Sequence, residues 1–148
     1  MLAKTCLILP AFAGNGTGVD AMSERPVLVD TDVLVDLLRG SEKAVAVVNS
    51  YQEYIILSAI VVAELYAGVK GDKELATLDA FVSLFRVVPV TPEIARLGGL
   101  YKRDYHQSHS VGLADAILAA TAKSERAELK TLNIKHYPMF KDLVPAYT

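Results

Sequence analysis

The sequence predicts an α/β domain: a three-layer α/β/α sandwich around a central, mostly parallel sheet of four to five strands. Three observations carry that reading. An apolar, β-branched run from Val27 to Val29 gives way at Asp30 to a helical pattern. Short β-branched runs then alternate with longer helical segments, an order that implies parallel strands joined by right-handed crossovers. At 148 residues and 52% hydrophobic, the chain suits one domain with one substantial core.

In order, Val27 to Val29 reads as a buried strand with Asp30 at its C-terminal end. Asp32 opens a helix of about two turns, with Val33, Leu34, Leu37 and Leu38 at helical spacing and Gly40 where a C-terminal cap belongs. Ser41 caps a second helix carrying Ala44, Val45, Val47 and Val48, ending near Ser50. Tyr54 to Leu57 is the second strand. Ser58 caps a third helix, Ala59 to Val69, apolar nearly all round as a buried helix would be. Leu75, Leu78, Phe81, Val82 and Phe85 mark one stripe of a fourth helix, and Val87 and Val88 a third strand. Thr91-Pro92 starts another helix, the hydroxyl capping and the proline taking the first helical position, and this helix reaches Tyr105. His106 to Gly112 reads as a polar loop, Leu113 to Lys123 as a buried helix, Ala127 to Thr131 as a fourth strand and Leu143-Val144 as a fifth.

Residues 1–26 differ in style and are read as an N-terminal extension to a domain spanning 27–148. Lys4, the run Cys6 to Ala13 broken by Pro10, and Gly14-Asn15-Gly16-Thr17-Gly18 make a poor signal peptide. An extension, or an upstream start codon with Met22 as the true first residue, fits better. A formal charge of -2 gives no overall basic field, so nucleic-acid contact would depend on local patches. The single cysteine, Cys6, cannot form an internal disulfide, and no Cys/His spacing suits zinc, which favours a reducing, cytoplasmic setting. No apolar run approaches the roughly 20 residues of a membrane span.

The informative acids are those with apolar helical neighbours. Glu64 has Ile60, Val61, Ala67 and Gly68 three and four residues away, and Asp115 has Val111, Gly112, Leu118 and Ala119. A lone carboxylate on a core face costs several kcal/mol unless a cation or a set of donors meets it. Taken singly, each has an ordinary explanation. Asp30 can cap a helix, Glu64 can pair with a base, and Asp115 is favoured in a first helical turn. Together, and with Asp30 at a strand end, they point to a shared divalent cation. Oxygen ligands without sulfur or a suitable histidine set indicate magnesium or manganese, an ion suited to phosphate ester chemistry. Nuclease and phosphatase both remain open at this point.

Asp32 either lines the same cleft or caps the helix. Asp36, with Arg39 three residues on, reads as a solvated helix face, and His106 and His109 as solvent-facing. Thr131 and Asn133 follow the fourth strand and would reach the same edge of the sheet, although a Thr or Asx turn explains them as well.

Four segments in order resemble the PIN-domain ribonucleases, and within them the VapC-type toxins of toxin–antitoxin pairs. They are the strand ending in Asp30-Thr31, then Ser58 to Leu65, Gly112 to Ala120 and Leu132 to Tyr137. The resemblance covers Val27 to the C-terminus. It implies that Asp30, Glu64 and Asp115 hold magnesium or manganese and activate water for cleavage of an RNA backbone. Asn133 falls where many members carry a fourth acid, with Thr131 beside it, and Thr31 belongs to the first segment. Asp32 departs from the usual serine or asparagine and could supply the missing charge. The resemblance also implies a homodimer and a small antitoxin that blocks the active groove. Basic candidates for RNA contact are Arg39, Lys70, Lys102, Arg103 and Lys135, chosen because they lie near helix ends and loops.

Two rival readings compete. A haloacid-dehalogenase-type phosphatase also opens with a strand and Asp-x-Asp, and would use Asp30 as nucleophile and Asp32 as acid/base. It needs a late adjacent acidic pair that the chain lacks. The other is a non-catalytic PIN-like binding module.

Overall fold

The computed structural model describes residues 25–148, so the expected extension, up to residue 24, lies outside the described residues. The elements run β1 (Val27–Val29), α1 (Thr31–Leu38), α2 (Glu42–Ser50), β2 (Ile55–Ser58), α3 (Ala59–Ala67), α4 (Gly71–Val82), β3 (Arg86–Val88), α5 (Pro92–His109), α6 (Leu113–Glu125) and β4 (Glu128–Lys130). Two 3-10 turns, Gln52–Tyr54 and Ile134–His136, complete them. β1 and β2 are β-branched and aliphatic runs buried throughout, as strands covered on both faces must be, whereas β3 and β4 each bury a single aliphatic residue, Val88 and Leu129.

All pairings are parallel, in the order β3-β2-β1-β4. Val27 faces Ile55 on one side and Glu128 on the other; Ile56 faces Arg86. From β1 the chain builds outward through β2 to β3, then returns to place β4 on the opposite flank of β1. With right-handed crossovers, that reversal puts helices on both faces of the sheet, giving the expected sandwich. It also creates a topological switch point between the C-terminal ends of β1 and β4, where open α/β sheets collect their ligands. Asp30 ends one of these strands and Thr131 the other.

Helix starts follow local chemistry. Asp30, Ser41, Ser58 and Thr91 each cap the helix that follows. Helix α1 therefore begins at Thr31, one residue earlier than expected, with Asp30 as its cap. Helices α5 and α6 pack closely because Gly98 lies on the contact face: a Cβ there would stand 3.0 Å from Ile117 Cγ1 and 3.1 Å from Ile117 Cα. This contact fixes the helix that carries Asp115.

Three expectations need correction. Leu143-Val144 forms no strand. Val144 is exposed and Pro145 follows it, so the tail makes one sheet-like bond, from Ala146 N to Thr131 O at 2.8 Å. His106 to His109 belongs to α5 instead of a loop. Pairs four residues apart extend the helix, Lys102 Nζ to His106 Nδ1 at 3.0 Å and Tyr105 against His109 at 6.1 Å between ring centroids, until Ser110 ends it at φ 52°. Helix α3 is covered on one face only: Val61 and Leu65 are buried, but Ala63, Glu64, Ala67 and Gly68 are exposed. Its apolar sequence predicts burial all round, yet alanine and glycine leave little surface to hide. Among the described residues no helix is long and apolar enough to cross a membrane.

Candidate active site

Asp30 sits at the switch point, 8% exposed, with both carboxylate oxygens engaged. Oδ1 accepts from Thr31 N at 2.7 Å; Oδ2 accepts from Thr131 Oγ1 at 2.8 Å and from the Tyr137 hydroxyl at 2.6 Å. The same Tyr137 oxygen lies 3.4 Å from Asp115 Oδ1, so a single phenol spans the two acids. Asp115 occupies the first turn of α6, where the helix dipole favours a carboxylate. Its Oδ2 faces His136 Nδ1 at 3.0 Å, and a Cβ on Gly112 would stand 3.3 Å from that oxygen.

Asp32 turns back across the first turn of α1. Its Oδ2 accepts from Leu132 N at 3.0 Å and lies 3.4 Å from Thr131 Oγ1, and its Oδ1 accepts from Val33 N. Thr131, fully buried, is the hub: its hydroxyl serves Asp30 and accepts the Asn133 N–H at 3.0 Å. That bond is the turn anticipated from the sequence, and the site uses it. Glu64 is exposed and reaches the cluster through Thr31, whose hydroxyl donates to its Oε2. The structure thus gathers Asp30, Asp32 and Asp115 around Thr131 and Tyr137 and ties Glu64 in through Thr31. Among the described residues no three acids or histidines stand close enough to close on one ion as they are.

The PIN domain family matches residues 27–137. The chain is also 43% identical, over 125 residues, to ribonuclease VapC19 of Mycobacterium tuberculosis (strain ATCC 25618 / H37Rv), covering 81% of this chain and 98% of the relative. The chain belongs to the VapC family of PIN-domain proteins. Ribonuclease VapC10 of the same organism is 38% identical over 124 residues, covering 82% of this chain and 92% of the relative. A toxin–antitoxin complex from Klebsiella pneumoniae contains a chain that superposes with a TM-score of 0.70 at 27% identity, covering 82% of this VapC-family chain and 98% of that one.

The electrostatics of the VapC-family site fit a cation. Burial pushes the Asp30 carboxyl above its ordinary value, and the nearby Asp115 charge adds to this; the donors Tyr137, Thr131 and Thr31 pull the other way. Burial, then the charge of Asp30, raises Asp32 to about 6. The Tyr137 phenol is pushed up by burial and by Asp30, so it stays a protonated donor. Among the described residues no lysine or arginine pairs with Asp30, Asp32 or Asp115. A partly buried set of carboxylate oxygens with no lysine or arginine on it is the donor chemistry that magnesium and manganese take.

The basic candidates separate. Lys102 Nζ donates to Val111 O at 2.6 Å, tying down the turn before α6. Arg103 pairs with its neighbour Asp104. Lys135 is exposed in the turn between Asn133 and His136, while Arg39 and Lys70 are exposed at helix ends. Arg39 and Glu64 share a groove with Val35, Leu38, Leu65 and Val69. Asp36 is not a free solvated acid, since it accepts from the Tyr147 hydroxyl at 2.7 Å. Sequence reasoning missed Tyr137 and His136. Both lie in the quoted segment Leu132 to Tyr137, but a 3-10 turn orients them, and its short repeat carries no periodic signal.

Proposed function

We propose that this VapC-family chain is a divalent-cation-dependent endoribonuclease, the toxin of a toxin–antitoxin pair. The observation that carries the reading is the set of acids at the switch point, Asp30 buried, Asp32 half-buried and Asp115 beside them, with no lysine or arginine among the described residues on any of them. Relatives named ribonucleases at 43% and 38% identity support the choice of RNA over other phosphate esters.

Asp30 and Asp115 would hold magnesium or manganese, with Glu64 as the third acid. Bound there, the cation neutralises the scissile phosphate, lowers the pKa of a water and stabilises the leaving oxygen. The chain's own part is to hold the oxygens in place. Thr131 and Tyr137 fix one Asp30 oxygen, and Thr31 N fixes the other. Asp32 anchors the Thr131–Tyr137 segment through Leu132 N, so the end of β4 cannot drift from the end of β1. Thr31 holds Glu64 toward the site. Lys135 and Arg39, exposed on either flank, supply phosphate contacts that position the strand without reading its sequence.

The groove running from Glu64 past Arg39, Val35, Leu38 and Leu65 would take the apolar and charged tail of a small antitoxin, and a homodimer would present two such grooves. A toxin of this kind works in the cytoplasm, on RNA made there. The phosphatase reading is not favoured. It needs a late adjacent acidic pair that the sequence lacks, and the relatives carry the name ribonuclease. A merely binding module would have no use for buried acids that destabilise the fold.

The test is purified protein on cellular RNA, with p-nitrophenyl phosphate as the rival substrate. Cleavage of RNA with magnesium or manganese, lost in EDTA and in Asp30→Ala, is expected, with the ester untouched. Ester hydrolysis without RNA cleavage, or RNA cleavage that persists in both Asp30→Ala and Asp115→Ala, contradicts the reading.

A further inference from the structure

Helix α6 brings Asp115 to the site, yet its own start is bare. Asp30, Ser41, Ser58 and Thr91 each cap a helix with a side-chain oxygen, whereas Gly112, the cap residue of α6, has none to offer. The site explains the glycine. A Cβ at Gly112 would stand 3.3 Å from Asp115 Oδ2, so a serine or aspartate cap would crowd the carboxylate that the site needs.

The hold comes instead from α5. Gly98 and Lys102 lie four residues apart on one face of that helix. Gly98 lets α5 close on Ile117, and one turn further on Lys102 Nζ donates to Val111 O at 2.6 Å. Val111 is fully buried, so its carbonyl must find a donor inside the protein. The ammonium, with hydrogens to give and nothing to accept, makes a charge-assisted bond there. Among the described residues Lys102 pairs with no carboxylate, Asp115 included, so it fastens the helix start without cancelling the charge that a cation must meet.

Resting on the reading that Asp115 helps hold magnesium or manganese, we propose that Lys102 is a positioning residue of this site: its bond to the Val111 carbonyl sets the start of α6 and, through it, where Asp115 presents its oxygens. The lysine does from across the hairpin what a capping side chain does locally in α1 or α5. Asp115 sits in the turn that this bond anchors, and its neighbours Tyr137, at 3.4 Å, and His136, at 3.0 Å, suit one placement of the acid. Release of the carbonyl lets that turn drift, and the oxygens then converge less well on a cation.

Calorimetric titration of manganese into metal-free protein, beside RNA cleavage over a range of RNA and salt concentrations, tests this. Lys102→Met keeps the length of the side chain and loses the donor. It binds manganese about tenfold more weakly, the low end for a group acting through a metal ligand, and its kcat falls while KM for RNA and the salt slope stay as in wild type. Lys102→Arg, a charged donor of similar reach, recovers most of both losses. Val48→Ala, a core truncation in α2, lowers the melting temperature as a stability control and leaves manganese affinity unchanged. Lys102→Gln, with a neutral and shorter donor, serves for the same comparison if Lys102→Met does not fold. A raised KM and a shallower salt slope at unchanged manganese affinity would make Lys102 a phosphate contact; a lower melting temperature with manganese affinity and kcat intact would make it a structural bond alone. Either result overturns the proposal and leaves the nuclease reading standing. Wild-type protein that neither binds manganese nor cleaves RNA overturns both.

Discussion

The hydroxyl of Tyr137 stands 2.6 Å from Asp30 Oδ2 and 3.4 Å from Asp115 Oδ1, joining the end of β1 to the first turn of α6 across 85 positions of chain. That phenol is buried, and its bond to Asp30 is one of three that pull the raised carboxyl back down. Tyr137→Phe should cost about 1–3 kcal/mol of stability, the usual price of a lost bond to a buried charge. Urea unfolding measures it. RNA cleavage should fall together with the fraction of Asp30 that stays ionised, and a variant as stable and as active as wild type would show the bond to be idle.

Asp32 makes stability depend on pH in a stated direction. Its folded value of about 6 stands above the ordinary 3.8 of an aspartate, so between about pH 4 and pH 6 the folded state binds more protons than the unfolded one. Its contribution to stability is therefore lost as pH rises through that window, and Asp30, shifted the same way, adds to the loss. In EDTA, wild type minus Asp32→Asn, compared by denaturant midpoint, should become less favourable from pH 4 to pH 7. The asparagine keeps an acceptor for Leu132 N. A difference that does not change with pH would place Asp32 in water.

Thr131→Val keeps shape and removes the hub. The hydroxyl serves Asp30 and accepts from Asn133 N, so its loss leaves a buried acid short of a donor and a backbone N–H without its partner. A loss of about 1–3 kcal/mol is expected, with RNA cleavage falling further than the stability change explains. Thermal unfolding and cleavage rates, measured side by side, decide it.

Lys135 and Lys102 should behave differently despite their equal charge. Lys135→Ala weakens binding of any single-stranded RNA and lowers the salt slope by about one contact's worth. Lys102→Ala, which releases the Val111 carbonyl, should lower the melting temperature and leave the salt slope alone. Anisotropy titrations at several salt concentrations distinguish them.

Much of this arrangement was legible before any coordinates. The β1 run ending in Asp30 and the caps at Ser41, Ser58 and Thr91 are local features, and local chemistry decides them. The position of Asp115 in a first helical turn was equally plain. What escaped depended on distant contacts. Glu64 looked like a core acid because its neighbours are apolar, yet only Val61 and Leu65 of α3 are fully buried, and Glu64 itself is exposed. Leu143-Val144 looked like a strand because β-propensity ignores what lies alongside. Tyr137 looked like an ordinary aromatic until the β4 end and α6 brought two carboxylates to its hydroxyl.

The most direct test of the acid cluster as a cation site is a calorimetric titration of manganese into the metal-free protein, repeated for Asp30→Asn and Asp115→Asn. Wild type should bind saturably, and each variant should bind at least about tenfold more weakly, the loss typical of a displaced metal ligand or its support. Equal binding by all three proteins, or none by wild type while RNA is still cleaved in EDTA, would contradict it.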